Sequence, residues 1–402
     1  MLHIQDPFER RLVAAADAGL AFVSGLTKAF RRGTPDAGTR IEPRRILLLR
    51  IERIGDLVMA LPAIRDVRTL APTAQIDLVV GSWNAALARS VPGVDRVCTV
   101  DARWLARERE GHGMTGLLRE ARTWRERRYD LGINFEPDIR SNLLLAAAGA
   151  ARTAGWRSGG GGPVLDLALD YDTTAHTTAN ARRLVSEAFG RSAPESARPL
   201  LTIPDAAASA AAARLRTTNP GPIVGVHVSG GRAIKQWDPA RFAEVGRRLA
   251  DARGATIVAT GGPGDRALVD ALRNAIAPHS IIDMSGADDL DDLVSAAAVL
   301  ARLDVLVTGD TGPMHLASAV GTPVVAVFGP SDPGRYATAG PLDRIVRIDL
   351  PCSPCNRVRQ PPARCVGHTP DCLAGISADA VFDAAVAVLD ARQARVPRAH
   401  RS

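Results

Sequence analysis

The stretch Arg45-Ile46-Leu47-Leu48-Leu49-Arg50-Ile51-Glu52-Arg53-Ile54-Gly55-Asp56-Leu57 decides how the rest of this chain is read. Four consecutive apolar residues, Ile46 to Leu49, suit a parallel strand buried on both faces, since alternation is needed only where one face meets water. A short polar turn follows, and then a segment with helical spacing from Leu57 to Leu70. Similar runs recur at Ile76 to Val80, Arg96 to Val100 and Leu131 to Phe135. Helical segments at Ala85 to Val91 and Gly116 to Arg128 lie between them. This alternation predicts a doubly wound α/β unit.

A second series begins beyond a helix over Asn180 to Phe189 and an Ala-rich, Pro-bounded stretch from Thr202 to Pro222. Its strands are Ile223 to Val228, Thr256 to Thr260, Ser280 to Asp283, Val305 to Thr308 and Val324 to Phe328. Gly-bearing loops follow three of them, at Ser229-Gly230-Gly231, Gly261-Gly262-Pro263-Gly264 and Gly309-Asp310-Thr311-Gly312. Open α/β sheets bind ligands outside the carboxyl ends of their strands, so two such units predict a cleft lined by both. The expected organisation is a helical extension and linker over 1–43 and a Rossmann-like acceptor domain over 44–200. A linker over 201–220, a Rossmann-like donor domain over 221–391 with a Cys-rich insert at 352–372, and a basic tail over 392–402 complete it.

Composition narrows the function classes. At 46% apolar residues the 402-residue chain can bury ordinary cores. No stretch approaches the roughly 18 uncharged apolar residues of a membrane span. The net charge of +7 owes four units to Arg392, Arg395, Arg398 and Arg401, which read as a solvated tail. Aromatics, at 4%, do not interleave with basic runs, which argues against a nucleic-acid partner. Nearly every basic residue is arginine; the two lysines are Lys28 and Lys235.

From Phe8 to Phe30 apolar residues recur at helical spacing, flanked by Arg10, Arg11, Lys28, Arg31 and Arg32. The segment reads as a helix that either packs on the first domain or contacts anionic membrane through residues 8–32. Asp17 interrupts the apolar run and no small-residue cleavage site follows, so a signal peptide is not expected. Thr34 to Pro43 reads as the linker.

The strand-end loops carry the chemistry. Only Gly55 stands where a dinucleotide fold needs G-x-G-x-x-G, which argues against a dehydrogenase. The loop instead places Asp56 at a helix start, as an acid serving the helix dipole or as a general base. In the second unit, small residues after Val228 let backbone N–H groups approach a phosphate, and Lys235 adds a mobile point charge. Asp238-Pro239 is suited to cap and open the next helix. In Gly309-Asp310-Thr311-Gly312-Pro313-Met314-His315, Asp310 or Thr311 is placed to cap a helix whose N-terminus suits a pyrophosphate. His315 falls on its first turn, facing that anion or a neighbouring carbonyl.

Four motifs together resemble glycosyltransferase family 9, the heptosyltransferases of lipopolysaccharide core assembly and their relatives. They are Arg45 to Arg50 running into Ile54-Gly55-Asp56 and Ala60-Leu61-Pro62-Ala63-Ile64-Arg65; Gly225-Val226-His227-Val228-Ser229 with Lys235-Gln236-Trp237; Thr260-Gly261-Gly262-Pro263-Gly264-Asp265; and Gly309 to Ala317 with Gly321-Thr322-Pro323-Val324. The resemblance runs from Arg44 to about Leu389. It implies a GT-B fold and an inverting, metal-independent transfer from a nucleotide-diphosphate sugar, such as ADP-heptose, to a cell-envelope glycolipid or oligosaccharide. Asp56 matches the family's general base, and Ser229 and Lys235 its diphosphate contacts. Asp310, Thr311, Gly312 and His315 match the donor loop, and Asp265 falls near the ribose contact. No cofactor is implied, and the location implied is cytoplasmic, at the inner face of the plasma membrane.

Two other readings use the same loops. A sugar-nucleotide epimerase would need no lipid acceptor, and a non-catalytic nucleotide-binding homologue would need no Asp56. Arg53, Asn134, Glu136 and the Gly155 to Pro163 loop are expected on the acceptor side, with the glycine run mobile. Finally, Cys352-Ser353-Pro354-Cys355 with Cys365, Cys372 and His368 has the spacing of a structural zinc site or of reduced thiols. Disulfides are not expected without an export signal.

Overall fold

Ile46 to Leu49 form the middle of a parallel sheet and are completely buried, with Leu48 flanked by Leu78 and Ile133 on the neighbouring strands. The computed structural model describes residues 2, 4, 6–30, 42–105, 111–196, 198–285 and 293–395. They form two units, Met1–Leu200 and Leu201–Ser402.

The first unit runs α1 (Pro7–Phe30), β1 (Arg45–Leu49), α2 (Ile54–Leu70), β2 (Gln75–Val80), α3 (Ala85–Arg89) and β3 (Arg96–Thr99). It continues with α4 (Met114–Thr123), β4 (Leu131–Asn134), α5 (Ile139–Ala148), β5 (Arg152–Trp156), β6 (Leu167–Leu169) and α6 (Thr177–Phe189). Among the described residues its sheet is ordered β3-β2-β1-β4-β5-β6, with every pair parallel. α2 stays helical through Pro62, which removes one ladder donor; Thr178 Oγ1 donates to Met59 O nearby at 2.9 Å. The same α2–α6 contact carries Arg182 paired with the buried Asp66 at 2.7 Å.

The second unit runs α7 (Asp205–Arg214), β7 (Ile223–His227), α8 (Pro239–Arg253), β8 (Thr256–Gly261), α9 (Arg266–Ile276), β9 (Ile281–Ser285) and α10 (Leu293–Leu300). Then come β10 (Val305–Gly309), α11 (Gly312–Ala319), β11 (Val324–Val327), α12 (Pro333–Tyr336), β12 (Arg344–Val346), α13 (Asp371–Ala374) and α14 (Ala378–Arg395). Its sheet, β12-β11-β10-β7-β8-β9, is also parallel throughout. Counted from the first strand of each unit, both sheets have the doubly wound order, so the direction of winding reverses between β1 and β4 and again between β7 and β10. Those two reversals are where the strand-end crevices open, and where ligands of this architecture bind.

Three expectations change. The 201–220 stretch is more than a linker, because α7 lies within it and packs on α10 of the second unit. The basic tail begins later than Arg392: α14 continues to Arg395, and Arg392 donates to Asp304 O at 3.2 Å and pairs with its carboxylate at 3.3 Å. Arg398 and Arg401, like residues 31–41 of the expected linker, lie outside the described residues. The glycine run after β5 is tightly packed where slack was expected. Gly160 sits at φ +89°, and a Cβ there would come within 2.3 Å of Val13 Cγ1 on α1. Gly161 N–H donates to Asp17 at 2.6 Å. The acid that breaks the apolar run of α1 is thus its docking contact. α1 binds by that narrow side while Phe8, Leu12 and Phe22 stand 77%, 62% and 73% exposed. No described helix is long and apolar enough to cross a membrane.

Candidate active site

At the first reversal, Asp56 occupies the third position of α2 with its side chain 31% exposed. Arg50, at the end of β1, is buried and grips it twice, from Nε to Asp56 O at 3.0 Å and from a terminal nitrogen to Oδ1 at 3.2 Å. Its other terminal nitrogen donates to Phe135 O at 3.1 Å and lies 3.3 Å from Glu52. Burial alone would depress the guanidinium pKa, but Asp56, Glu52 and Glu136 together raise it, so Arg50 stays charged. Oδ2 of Asp56 receives no hydrogen bond from the described residues. The α2 N-terminus has no side-chain cap.

Arg53 is exposed at the start of α2, but Asn134 and Glu136 do not line the acceptor side as expected. Both are buried beneath it. Glu136 Oε1 accepts the N–H groups of Ile51 and, at 2.8 Å, of Glu52. Burial pushes its carboxyl well above the usual carboxylate range, and the nearby Glu52 pushes the same way.

The second reversal gathers the other candidates. Ser229 Oγ donates to Asp265 Oδ1 at 2.5 Å, and Gly262 N–H donates to Asp265 Oδ2 at 2.8 Å. Lys235 Nζ lies 2.7 Å from Asp310 Oδ2, both side chains mostly buried. The loop that presents Lys235 is fixed by Trp237, whose indole is 1% exposed, donates to Ile376 O at 3.2 Å and meets Phe242 edge-on at 4.8 Å. Asp238 caps α8 as expected, accepting from Ala240 N–H at 2.9 Å. Neither candidate caps α11. Asp310 turns to Lys235, and the Thr311 hydroxyl pairs with that of Thr308 at 3.1 Å. The first turn of α11, with Gly312 at its start and the buried His315 at its end, therefore keeps backbone donors without a side-chain cap.

His227, which the second motif contains without a role assigned to it, lies under these candidates. Its Nδ1 lies 3.0 Å from Thr260 O; a carbonyl only accepts, so Nδ1 carries the proton. Burial lowers its pKa and keeps the ring neutral, tying β7 to β8 beneath Ser229 and Asp265. A histidine closing a buried strand was the available clue.

The cysteines are free. Burial, with Cys355, Cys352 and Cys365 nearby, pushes the Cys372 thiol up to about 11, so it is protonated at neutral pH. Among the described residues no three His, Cys, Asp or Glu side chains are grouped to hold a metal ion.

Two parallel Rossmann-like units in tandem, each with its polar loops at the winding reversal, are the GT-B class of glycosyltransferase fold. Solved structures agree. A glycosyl transferase family 9 protein from Veillonella parvula aligns with a TM-score of 0.74 at 22% identity, over 88% of this chain and 99% of that one. An E. coli ADP-heptose lipopolysaccharide heptosyltransferase II aligns with a TM-score of 0.69 at 21% identity, over 87% and 99%. In sequence, lipopolysaccharide heptosyltransferase 1 of Pseudomonas aeruginosa is 27% identical over 326 residues, covering 77% of this chain and 86% of that protein. Residues 117–364 match the profile of glycosyltransferase family 9 (heptosyltransferase), and the chain belongs to that family.

Proposed function

We propose that this protein transfers a heptose-like sugar, with inversion, from a nucleotide-diphosphate donor such as ADP-heptose to a hydroxyl of a cell-envelope glycolipid or oligosaccharide. The observation that carries the reading is the Lys235–Asp310 pair beside the uncapped N-terminus of α11, a cation and backbone donors at the point where a diphosphate fits this topology. Donor contacts are assigned to Ser229, Lys235, Asp265, Asp310, Thr311, Gly312 and His315, and the general base to Asp56.

In this mechanism Asp56 removes the proton of the acceptor hydroxyl as its oxygen bonds to the anomeric carbon. The bond from that carbon to the donor phosphate breaks on the opposite face, and the nucleoside diphosphate departs with the bonding pair. One displacement inverts the centre. Lys235 and the α11 N-terminus stabilise the growing phosphate charge, the role a divalent cation plays elsewhere. Chelation with EDTA should therefore leave turnover unchanged. α1 is read as a peripheral contact to anionic membrane at the inner face of the plasma membrane, through its exposed Phe8, Leu12 and Phe22 beside Arg10 and Arg11.

The test is incubation of the protein with ADP-heptose and heptose-deficient lipopolysaccharide, followed by analysis of the product's anomeric configuration. Transfer with inversion is the expected result. Conversion of the nucleotide sugar without acceptor would mark an epimerase, and binding without turnover a non-catalytic homologue.

A further inference from the structure

The loops after β1 and β4 meet at the first reversal, and one buried carboxylate joins them. Glu136, 2% exposed, takes two successive amides, Ile51 and Glu52, of the turn that leads from β1 to Asp56. It is braced in turn from below. Asn134 Oδ1 accepts Glu136 N–H at 3.1 Å, while Asn134 Nδ2 donates to Glu136 O at 3.0 Å and to Asn142 Oδ1 at 2.7 Å. Asn142 Nδ2 then reaches Trp156 O and Gly160 O, each at 2.8 Å. Glycosyl transfer gives none of these three side chains a chemical step, yet burying them costs more than burying apolar ones. Buried polar networks with their partners met rigidify what they touch, and this one ends on the amides of the Asp56 turn.

We infer that Glu136 is a positioning residue for Asp56: by holding the Ile51–Glu52 turn it sets the place from which Arg50 grips the Asp56 carboxylate. The inference rests on the reading of Asp56 as the base. Arg50 and Ile51 are adjacent in the chain, and Arg50 binds both the main chain and the carboxylate of Asp56, so a shift of the turn moves the base. Removing the acceptor strands the buried Ile51 amide and the partly buried Glu52 amide, and the turn must rebuild to satisfy them. What the role needs is an acceptor oxygen at full Glu length; charge is secondary, since a protonated carboxyl still accepts through its carbonyl oxygen.

Gln keeps that length and oxygen without the charge, and Asp keeps the charge one methylene short. ADP release from ADP-heptose, with heptose-deficient lipopolysaccharide as acceptor, is measured for the full chain and its E136Q, E136D and D56N variants, with ADP affinity alongside. E136D should lose about tenfold or more in kcat at unchanged donor KM and ADP Kd, while E136Q retains most of the activity that E136D loses. Wild-type kcat in E136D, or equal losses in the two Glu136 variants, overturns the inference and leaves the base reading standing if D56N is inactive. Full turnover in D56N overturns the base reading itself.

Discussion

The two winding reversals share a topology and differ in what they do with charge. Between β1 and β4, the acids Glu52, Asp56 and Glu136 surround the buried guanidinium of Arg50. Between β7 and β10, an ammonium paired with Asp310 lies at the uncapped N-terminus of α11. The first arrangement suits accepting a proton, the second receiving an anion. Under the proposed function the two scaffolds divide one reaction between them, and substitutions at either reversal should damage different constants.

The largest effect is expected at Asp56, the proposed base. Asp56→Asn should lower kcat by roughly 10²- to 10⁴-fold in the ADP-release assay, the range of a positioned acid–base group. Turnover near wild type would erase the distinction between the reversals. Next comes the support of the phosphate loop. Trp237→Ala removes a buried indole and its bond to Ile376, and should destabilise the second unit by about 3–5 kcal/mol in denaturant unfolding. A loss below about 1 kcal/mol would mean that the Lys235 loop does not depend on that anchor. Lys235→Ala should weaken ADP binding by roughly ten- to a hundredfold, as expected for one charge-assisted contact, and titration calorimetry reads it directly. An unchanged Kd would move the diphosphate away from Lys235.

The smallest effect separates the units by pH. His227 has a folded pKa below its ordinary 6.5, so the unfolded chain binds the proton more readily. Its contribution to stability is present above that value and is lost as pH falls through the folded one. Glu136 runs the other way. Its folded pKa lies above 4.5, so its contribution is complete below that value and is lost as pH rises through the folded one. Unfolding midpoints followed from pH 8 to pH 5 should show acid weakening that His227→Gln reduces and E136Q does not; identical slopes in all three proteins would contradict both assignments.

Much of this was legible in the sequence because buried parallel strands are written as uninterrupted apolar runs. Ile46 to Leu49 of β1 and all of β11 are such runs, and β2, β4, β7 and β10 come close, broken or ended by one or two residues such as Asp77 and Asn134. β5 is not: Arg152, Thr153 and Gly155 dilute it, although all five of its residues are buried. Arg152 and Thr153 reveal their fit only once Asp130 O and Asp166 are in place as partners. The candidate site divides in the same way. Asp56 follows Gly55 in the first turn of α2, and Lys235 stands between Gly231 and Pro239 after β7, so their positions could be read directly. Glu136 and His227 act through backbone atoms of segments far away in sequence, and Asn134 acts through Glu136 and Asn142; nothing in their local composition names those partners. Asn134 and Glu136 were accordingly expected to line the acceptor side, when they hold it from beneath.

The division of labour between the reversals is tested most directly by titrating ADP into the Asp56→Asn protein. The account predicts a dissociation constant equal to that of the wild type, in a protein that no longer transfers sugar. A dissociation constant raised tenfold or more, about 1.4 kcal/mol, would contradict it, because Asp56 would then belong to nucleotide binding.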